Sequence, residues 1–243
     1  MNRSLIEYRI NSFCTTNVLD RNYLHYKYFH KDLKNILSTY VQKDDIVLDI
    51  GCGNKPYERY IRSLTKRADG KGYVGCDVAQ SSDFRVDFLC DATKIPLESE
   101  SFNIVICTQV LEHVYDFENV ILEAYRLLKP EGVLIVSAPL VWPHHEIPYD
   151  FFRFTYFGLK KLLLNSEFKI EYQCANGGKW AELGLIFAHV LSPSKSKYFF
   201  IRKLLSLFNR VIITILNIVF CFLDEIFKDT AYITINHVFV GKK

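Results

Sequence analysis

Cysteine pairs and an excess of charge are both missing from this 243-residue chain. Its seven cysteines form no CxxC pair, and several lie inside apolar runs. This pattern argues against a disulfide framework or a zinc site and indicates a reducing compartment. The formal net charge is only +3, which is too small to indicate binding to nucleic acid. We therefore expect buried thiols and a partner other than DNA or RNA.

A signal peptide and a membrane span are also missing from the pattern. Residues 1–10 have scattered charges and no apolar core, so we expect a cytoplasmic protein. In the apolar segment 196–227, only Val211–Leu223 is free of charge. At about 1.5 Å per residue this run would extend roughly 20 Å as a helix, short of the ~30 Å hydrocarbon core of a bilayer.

What the chain does contain is an alternation of strand-like and helix-like segments. Apolar residues make up 49% of the sequence and charged residues 23%, as in an ordinary globular protein. Apolar residues at helical spacing mark segments 28–40 and 110–128, and Lys129–Gly132 is a stop-and-turn signal. Short apolar runs predict strands at residues 46–50, 73–76, 84–89, 104–107, 133–136, 168–172 and 234–240. The alternation favours a doubly wound α/β sheet.

The first strand runs into a glycine turn. Val47-Leu48-Asp49-Ile50-Gly51-Cys52-Gly53 is a buried strand followed by Gly-x-Gly, which lets the backbone turn tightly and approach a ligand with no Cβ in the way. The third glycine of the dinucleotide fingerprint is absent, because Asn54-Lys55-Pro56-Tyr57 follows. The motif therefore favours a neutral nucleoside over a dinucleotide such as NAD.

Polar residues also follow the next three strands. Asp77 ends the second strand, where a carboxylate can accept both ribose hydroxyls. Asp91 and Ala92 close the third strand, where they can read the edge of an adenine. The fourth strand turns abruptly into Gln109-Val110-Leu111-Glu112-His113-Val114. Each residue taken singly has a structural alternative: Asp49 could cap the glycine turn, Asp77 could be an exposed turn residue, and Glu112 could favour a helix start through the helix dipole.

In combination these motifs resemble class I S-adenosylmethionine-dependent methyltransferases of the broad type 11 group, over residues 44–175 and again over 232–243. The resemblance implies a Rossmann-like, seven-stranded, mostly parallel sheet of order 3-2-1-4-5-7-6 with helices on both faces, and S-adenosylmethionine as the cofactor. It implies that the cofactor-binding residues are Asp49, Gly51, Cys52 and Gly53 at the methionine moiety, Asp77 and Val78 at the ribose, Asp91 and Ala92 at the adenine, and Gln109, Glu112 and His113 beside the methionine end.

The expected domain organisation has three parts. Residues 1–44 form an N-terminal helical segment, and residues 45–178 with 231–243 form the methyltransferase domain. Residues 179–230 form an apolar, basic helical insertion before the last strand.

Titratable residues are dense after the fifth strand. Residues 137–155 contain His144, His145, Glu146, Asp150 and Arg153 among aromatics and three prolines, at the edge of the sheet where such folds bind ligands. The segment is similar to the His-Glu-x-Pro-x-Asp-x-x-Arg-x-Thr motif of a type 11 subgroup whose members often belong to cell-surface polysaccharide pathways. We hypothesise that His145 is a general base, with Glu146 or Asp150 orienting it and Arg153 holding an anionic group of the acceptor.

Two other interpretations of this segment stay open. Asp150 and Arg153 could form a salt bridge at a helix start, with Thr155 capping a helix over residues 156–164. A metal site at His144-His145-Glu146 is not expected, because adjacent histidines in a proline-rich loop lack the i, i+4 spacing of helical zinc motifs.

The insertion has a helical pattern with a narrow polar stripe. Residues 179–210 contain six basic residues against the single acid Glu182. We expect this segment to lie in a membrane interface near anionic lipid, or to pack on its own domain or on a second subunit as a homodimer. A helix from about residue 196 to 227 would place these polar residues along one line: Lys203, Ser206, Arg210, Thr214, Asn217, Cys221, Asp224 and Lys228.

Several functions remain in competition. The leading hypothesis is O-methylation of a sugar or lipid-linked glycan in cell-envelope biosynthesis. The alternatives are a methyltransferase for a quinone or other lipid precursor, and a non-catalytic S-adenosylmethionine-binding or scaffold protein. Methylation of nucleic acid bases is disfavoured because Cys107-Thr108-Gln109-Val110 stands where an Asp-Pro-Pro-Tyr type motif is expected.

Overall fold

The computed structural model describes residues 16–81, 83–191, 199–227, 229–230 and 233–243. Within them lie the helices α1 (Tyr23–Tyr40), α2 (Glu58–Thr65), α3 (Phe117–Leu127), α4 (Tyr156–Asn165), α5 (Lys179–Val190) and α6 (Phe199–Ile226). The strands are β1 (Val47–Ile50), β2 (Tyr73–Asp77), β3 (Phe88–Leu89), β4 (Phe102–Thr108), β5 (Leu128–Pro139), β6 (Lys169–Asn176) and β7 (Asn236–Lys242). The charge pattern of residues 1–10, the expected helix start near Ser196, and Lys195, Lys197 and Lys228 fall outside the described residues.

All seven strands belong to one sheet of order β3-β2-β1-β4-β5-β7-β6. Strands β3, β2, β1, β4 and β5 pair in parallel, and β7 runs antiparallel to both β5 and β6. The predicted fold class and strand order are confirmed. All four residues of β1 are buried, as parallel strands covered on both faces require. The carboxyl ends of β1, β2, β4 and β5 meet at one edge of the sheet, where folds of this type bind ligands.

Alternate residues of the central strands enter two different cores. Leu48 and Val105 contact a core that includes residues of α3 and α4. Val47 and Ile104, their neighbours along the strands, contact a second core that includes α1. This alternation follows from the two-residue period of a strand. It fixes α1 on the opposite face from α3 and α4, close to the carboxyl edge of the sheet.

Three local predictions differ from the structure. The third strand shrinks to two residues, because Phe84 is 82% exposed and has a φ of +53°, a left-handed conformation that ends extended backbone. The helix predicted from residue 110 begins at Phe117, after a 3-10 turn at Leu111–His113. The turn signal at Lys129–Gly132 is an irregular stretch within β5, where the register with β4 shifts.

The insertion forms the packed helices α5 and α6, and two polar residues of α6, Asn217 and Asp224, are buried against the domain. Asn217 Nδ2 donates hydrogen bonds to the backbone oxygens of Val18 and Asp20, at 2.7 and 2.8 Å. Asp224 accepts hydrogen bonds from the backbone N–H groups of Gly178 and Ala181, at 3.1 and 3.0 Å. The outer side of α6 is instead apolar and exposed: Val211, Ile215, Ile218, Val219, Phe222 and Ile226. No helix in the described part of the chain is long and apolar enough to cross a membrane.

Candidate active site

A cavity of about 1160 Å³ opens at the carboxyl edge of the sheet. It is larger than the ~300–1,000 Å³ typical of a site for one small ligand. Its walls come from the turns after β1 and β4, the ends of β2 and β3, the loop after β5, and the first turns of α1. A cavity of this size has room for two reactants side by side.

The glycine turn after β1 presents bare backbone to this cavity. Gly51 and Gly53 have φ values of +69° and +51°, which side-chain-bearing residues rarely adopt. A Cβ at Gly51 would lie 2.4 Å from Cγ2 of Val110, so a side chain is excluded there. A Cβ at Gly53 would meet nothing within 4 Å, since this glycine faces open space. The turn therefore allows a ligand to approach the backbone closely.

Two of the predicted strand-end acids line the cavity beside this turn. Oδ2 of Asp77 accepts a hydrogen bond from the backbone N–H of Gly53 at 2.9 Å. Oδ1 of Asp91 accepts from the backbone N–H and the hydroxyl of Thr93, at 2.8 and 2.7 Å, and these bonds lower the pKa of Asp91. Eight of the residues predicted to bind the cofactor line this part of the cavity, which we call the donor end. They are Gly51, Gly53, Asp77, Val78, Asp91, Ala92, Gln109 and His113.

Asp49, Cys52 and Glu112 are buried behind this wall and do not line the cavity. The carboxylate of Asp49 accepts a hydrogen bond from the Tyr73 hydroxyl and so ties β1 to β2. Burial raises the pKa of Asp49 to about 7. The side chains of these three residues are enclosed by the protein, and their predicted contact with the methionine moiety stays a prediction.

His145 lies in the wall at the other end of the cavity. Its Nδ1 is 3.5 Å from Oδ1 of Asp150, and its backbone N–H donates to Oδ2 of Asp150 at 3.2 Å. Burial and the neighbouring His113 lower the pKa of His145, so its imidazole is neutral and can accept a proton. Glu146 also lines the cavity, but its Oε2 is 4.0 Å from Nε2 of His113. Of the two acids predicted to orient His145, Asp150 is the one that contacts it.

Arg153 does not face the cavity. Its guanidinium donates to both carboxylate oxygens of Asp150, at 2.6 and 2.9 Å, and to the backbone oxygens of Trp142 and Phe152. The expectation that Arg153 holds an anionic acceptor is corrected, since its donors are used to fix the loop. The alternative of an Asp150–Arg153 salt bridge is confirmed, and Thr155 caps α4 by accepting from the N–H of Gly158 at 3.1 Å.

The sequence analysis missed the wall formed by α1. This helix begins at Tyr23, five residues before the predicted Tyr28, and the added turn carries His25 into the cavity wall. The ring of Trp142 lies 4.6 Å from that of His25 and 5.7 Å from that of His189 in α5. A signal was present, because His25 precedes Phe29 and Leu33 at a constant spacing of four residues.

Six of the seven histidines line this one cavity: His25, His30, His113, His144, His145 and His189. Burial lowers the pKa of His25 to about 3 and that of His189 to about 4, so both are neutral near pH 7. A neutral imidazole donates one hydrogen bond and accepts another. His25 and His189 therefore offer this wall neutral groups that can both donate and accept hydrogen bonds.

Comparison with known proteins concerns mainly the part of the chain that contains the glycine turn and the strand-end acids. The family model for a methyltransferase domain matches residues 48–136. A "probable S-adenosylmethionine-dependent methyltransferase" of Mycolicibacterium smegmatis is 33% identical over 96 residues, which are 38% of this chain and 37% of that protein. A ubiquinone biosynthesis O-methyltransferase of Rickettsia typhi is 25% identical over 139 residues, which are 54% of this chain and 51% of that protein. The chain thus spans about half or less of these relatives.

Solved structures extend the likeness in fold beyond the matched region. The [4+2]-cyclase SpnF has a TM-score of 0.57 at 18% identity, covering 88% of this chain and 81% of that one. At this identity the similarity concerns the fold alone. The family match contains the glycine turn and the strand-end residues Asp77, Asp91 and Gln109. Residues 48–136 therefore match a methyltransferase domain, and S-adenosylmethionine is the cofactor of the enzymes to which this part of the chain is similar.

Proposed function

We propose that the whole chain is an S-adenosylmethionine-dependent O-methyltransferase whose acceptor is a sugar or lipid-linked glycan of cell-envelope biosynthesis. The observation that carries this proposal is a single cavity with two unlike ends. Glycine backbone and carboxylates line one end, and neutral imidazoles with aromatic rings line the other. Aromatic faces and groups that both donate and accept hydrogen bonds are suited to a sugar.

The residues divide between the two reactants. Asp77 would hold the ribose of the donor, Asp91 and Ala92 its adenine, and Gln109 would lie beside its methionine end. Methyl transfer forms a carbon–oxygen bond as the carbon–sulfur bond breaks, leaving S-adenosylhomocysteine. The sulfonium carbon is already activated, so the enzyme mainly aligns the two reactants. His145 would take the hydroxyl proton, with Asp150 orienting the imidazole.

A quinone or related lipid precursor is the second candidate acceptor. The ubiquinone O-methyltransferase among the relatives favours it, and so do the rings of Trp142 and Phe29 beside His25. A phenolic hydroxyl on a flat ring could stack on this wall and present its oxygen to the same imidazoles. Only the acceptor differs between the two candidates.

A non-catalytic S-adenosylmethionine-binding or scaffold protein is the alternative from another class, because a fold alone does not establish a reaction. SpnF, for example, shares the fold and is named a [4+2]-cyclase. The placement of His145 against Asp150 in the cavity supports methyl transfer, because a protein that only bound the cofactor would not require a base.

The exposed face of α5 and α6 supports a further part of the proposal, that the protein contacts the inner face of a membrane. The outer residues of α6 are apolar, and the only acid among residues 179–210, Glu182, is buried. The charges that this segment can present to solvent are therefore basic, which suits anionic lipid. A membrane-associated enzyme would meet a lipid-linked acceptor directly.

Calorimetry and a transfer assay together test the proposal. We expect S-adenosylmethionine to bind with one site per chain, and the labelled methyl group to appear on a lipid-linked glycan or a nucleotide sugar. Labelling of a polyprenyl quinol instead would establish the second candidate. Binding of the cofactor without transfer to any of these acceptors would contradict the enzymatic function, and an absence of binding would contradict the cofactor-binding role of Asp77 and Asp91.

A further inference from the structure

Three side chains from two separate loops converge behind the acceptor end of the cavity. Glu112 and His113 belong to the turn after β4, and His145 belongs to the loop after β5. One potential ligand atom from each lies within 4.8 Å of the other two. Sequence spacing did not reveal this group. The sequence analysis considered only His144, His145 and Glu146 and expected no metal there; His144 is 85% exposed, and its Nδ1 lies 3.3 Å from Asp150.

The tautomer of His113 is set by its surroundings. Its Nδ1 lies 2.6 Å from the backbone oxygen of Tyr149. A carbonyl oxygen can only accept a hydrogen bond, so the proton is on Nδ1 and the lone pair is on Nε2. Nε2 lies 3.9 Å from Oε1 of Glu112, too far for a hydrogen bond. An imidazole held by a carbonyl at one nitrogen, with the other nitrogen free, is the arrangement of metal-binding histidines.

Glu112 has a carboxylate without a partner. The side chain is 0% exposed, and neither oxygen has a hydrogen-bond partner among the described residues. A buried carboxylate without hydrogen bonds is costly to maintain, whereas a bound cation would offset that cost. Nδ1 of His145 is also buried and lacks a hydrogen bond to any described residue. Glu112 and His145 thus each have a buried polar atom without a hydrogen-bond partner among the described residues.

We propose that Glu112, His113 and His145 bind one divalent transition-metal cation at the acceptor end of the cavity. Two imidazoles and a carboxylate suit Zn²⁺, Co²⁺ or Fe²⁺, whereas Mg²⁺ and Ca²⁺ prefer ligands that are all oxygen. Ligand bonds of about 2.1 Å place tetrahedral ligand atoms roughly 3.4 Å apart, so each atom needs to move by less than ~1 Å. Three protein ligands leave a coordination position open, and His113 and His145 both line the cavity.

The cation would change the role of His145. An imidazole that binds the metal does not also take the acceptor proton, so in the loaded protein the cation would lower the pKa of a bound hydroxyl instead. This consequence rests on the proposed function, whereas the binding of the ion does not. Metal binding and methyl transfer are therefore measured separately.

The test uses the full chain without a polyhistidine tag, stripped with a chelator and titrated with Co²⁺. We expect one ion per chain by equilibrium dialysis and visible absorption from nitrogen and oxygen ligands. Glu112→Gln and His113→Gln should each weaken binding ~100-fold or more, beyond the 10–100-fold loss typical of residues that only orient a ligand. His144→Ala is the matched control, and its Co²⁺ affinity should equal that of the wild type.

Circular dichroism and the midpoint of thermal unfolding show that each variant is folded. Two results would overturn the metal site: wild-type protein that binds no Co²⁺ saturably, or binding that both substitutions leave intact. Either result could occur with cofactor binding and methyl transfer unchanged. The metal site can thus fail without the proposed function.

Discussion

At the residue scale, three buried carboxyl groups share one physical property. Asp49, Glu112 and Glu182 are at most 2% exposed, and burial raises their pKa values to about 7, about 8 and about 8. The folded state therefore holds these protons to a higher pH than the unfolded chain does. Each group lowers the free energy of unfolding as the pH rises from its unfolded pKa to its folded one.

The pH dependence of the free energy of unfolding can be measured on Glu182, because this residue lies outside the candidate active site. It lies within α5, and neither of its oxygens has a hydrogen-bond partner among the described residues. Glu182→Gln should leave the Tm nearly unchanged near pH ~3, below the unfolded pKa, where the carboxyl is protonated in both states. Above pH 8 it should stabilise the fold by about 1–3 kcal/mol, or roughly 2–10 °C in Tm. Thermal melts across this range measure it, and a gain confined to low pH would contradict the buried acid.

His145 is the residue whose removal should affect turnover most. His145→Ala should lower kcat by ~10²–10⁴-fold, because it removes the base that takes the acceptor proton. If a metal is bound at the site, the same substitution removes one of its ligands. The affinity for S-adenosylmethionine should stay unchanged, since Asp77 and Asp91 are untouched. His144→Ala is the matched control, because His144 is the exposed neighbour. Equal loss in both variants would indicate a disturbed loop and would contradict the role of His145.

Substitution of Asp77 should weaken cofactor binding, which substitution of His145 leaves unchanged. Asp77→Ala should weaken binding of S-adenosylmethionine at least ~10-fold, because the ribose loses a charge-assisted acceptor and the glycine turn loses its bond to the N–H of Gly53. Calorimetric titration measures this affinity. Asp83→Ala is the control, because Asp83 lies in the same region of the chain but not in the cavity wall. An unchanged affinity in Asp77→Ala would contradict the ribose role.

The residues that the sequence could predict are those placed by local rules. Gly51, Asp77 and Asp91 sit at strand ends, and strand ends follow from apolar runs and from glycine geometry. The bond from Tyr73 to Asp49 could not be predicted, because it joins two strands whose register is set only by packing. The meeting of His113 with His145 depends on a loop fold that no periodicity encodes.

At the element scale, α6 is anchored by polar groups that face inward. The sequence predicted the line of polar residues on this helix but not its direction, because periodicity gives a stripe and does not say what covers it. Asp224 and Asn217 face the domain because they satisfy backbone groups there. The same side of the helix also buries Ile213 and Phe220, whereas other apolar residues of α6 stay exposed.

Substitution of Asp224 tests how much this buried polar anchor stabilises the fold. Asp224→Ala should lower the free energy of unfolding by about 2–3 kcal/mol, because the buried N–H groups of Gly178 and Ala181 lose a charged acceptor. Glu225→Ala, at an exposed neighbouring position, should cost less than about 1 kcal/mol. Urea unfolding measures both values. Equal losses in the two variants would mean that Asp224 does not anchor α5 to α6.

At the scale of the whole molecule, the cavity and the exposed apolar face of α6 are two surfaces of different chemical character. The cavity is built for polar contacts, whereas the outer residues of α6 have no covering partner among the described residues. Exposed apolar patches of this kind mark sites of association. A lipid surface is the occupant that we propose for this face.

Vesicle sedimentation decides whether this face meets lipid. The protein should sediment with anionic vesicles at low salt and be released near 1 M salt, where the Debye length falls to about 3 Å. Phe222→Glu should abolish sedimentation, because it places a charge among the exposed apolar residues of α6. Phe157→Glu, at a position that is more exposed but on α4, should not. Two results together would contradict the lipid surface: wild-type protein that stays in solution at low salt, and a dimer that Phe222→Glu dissociates. In that case a second copy of the chain covers this face, because the introduced charge disrupts a contact between proteins.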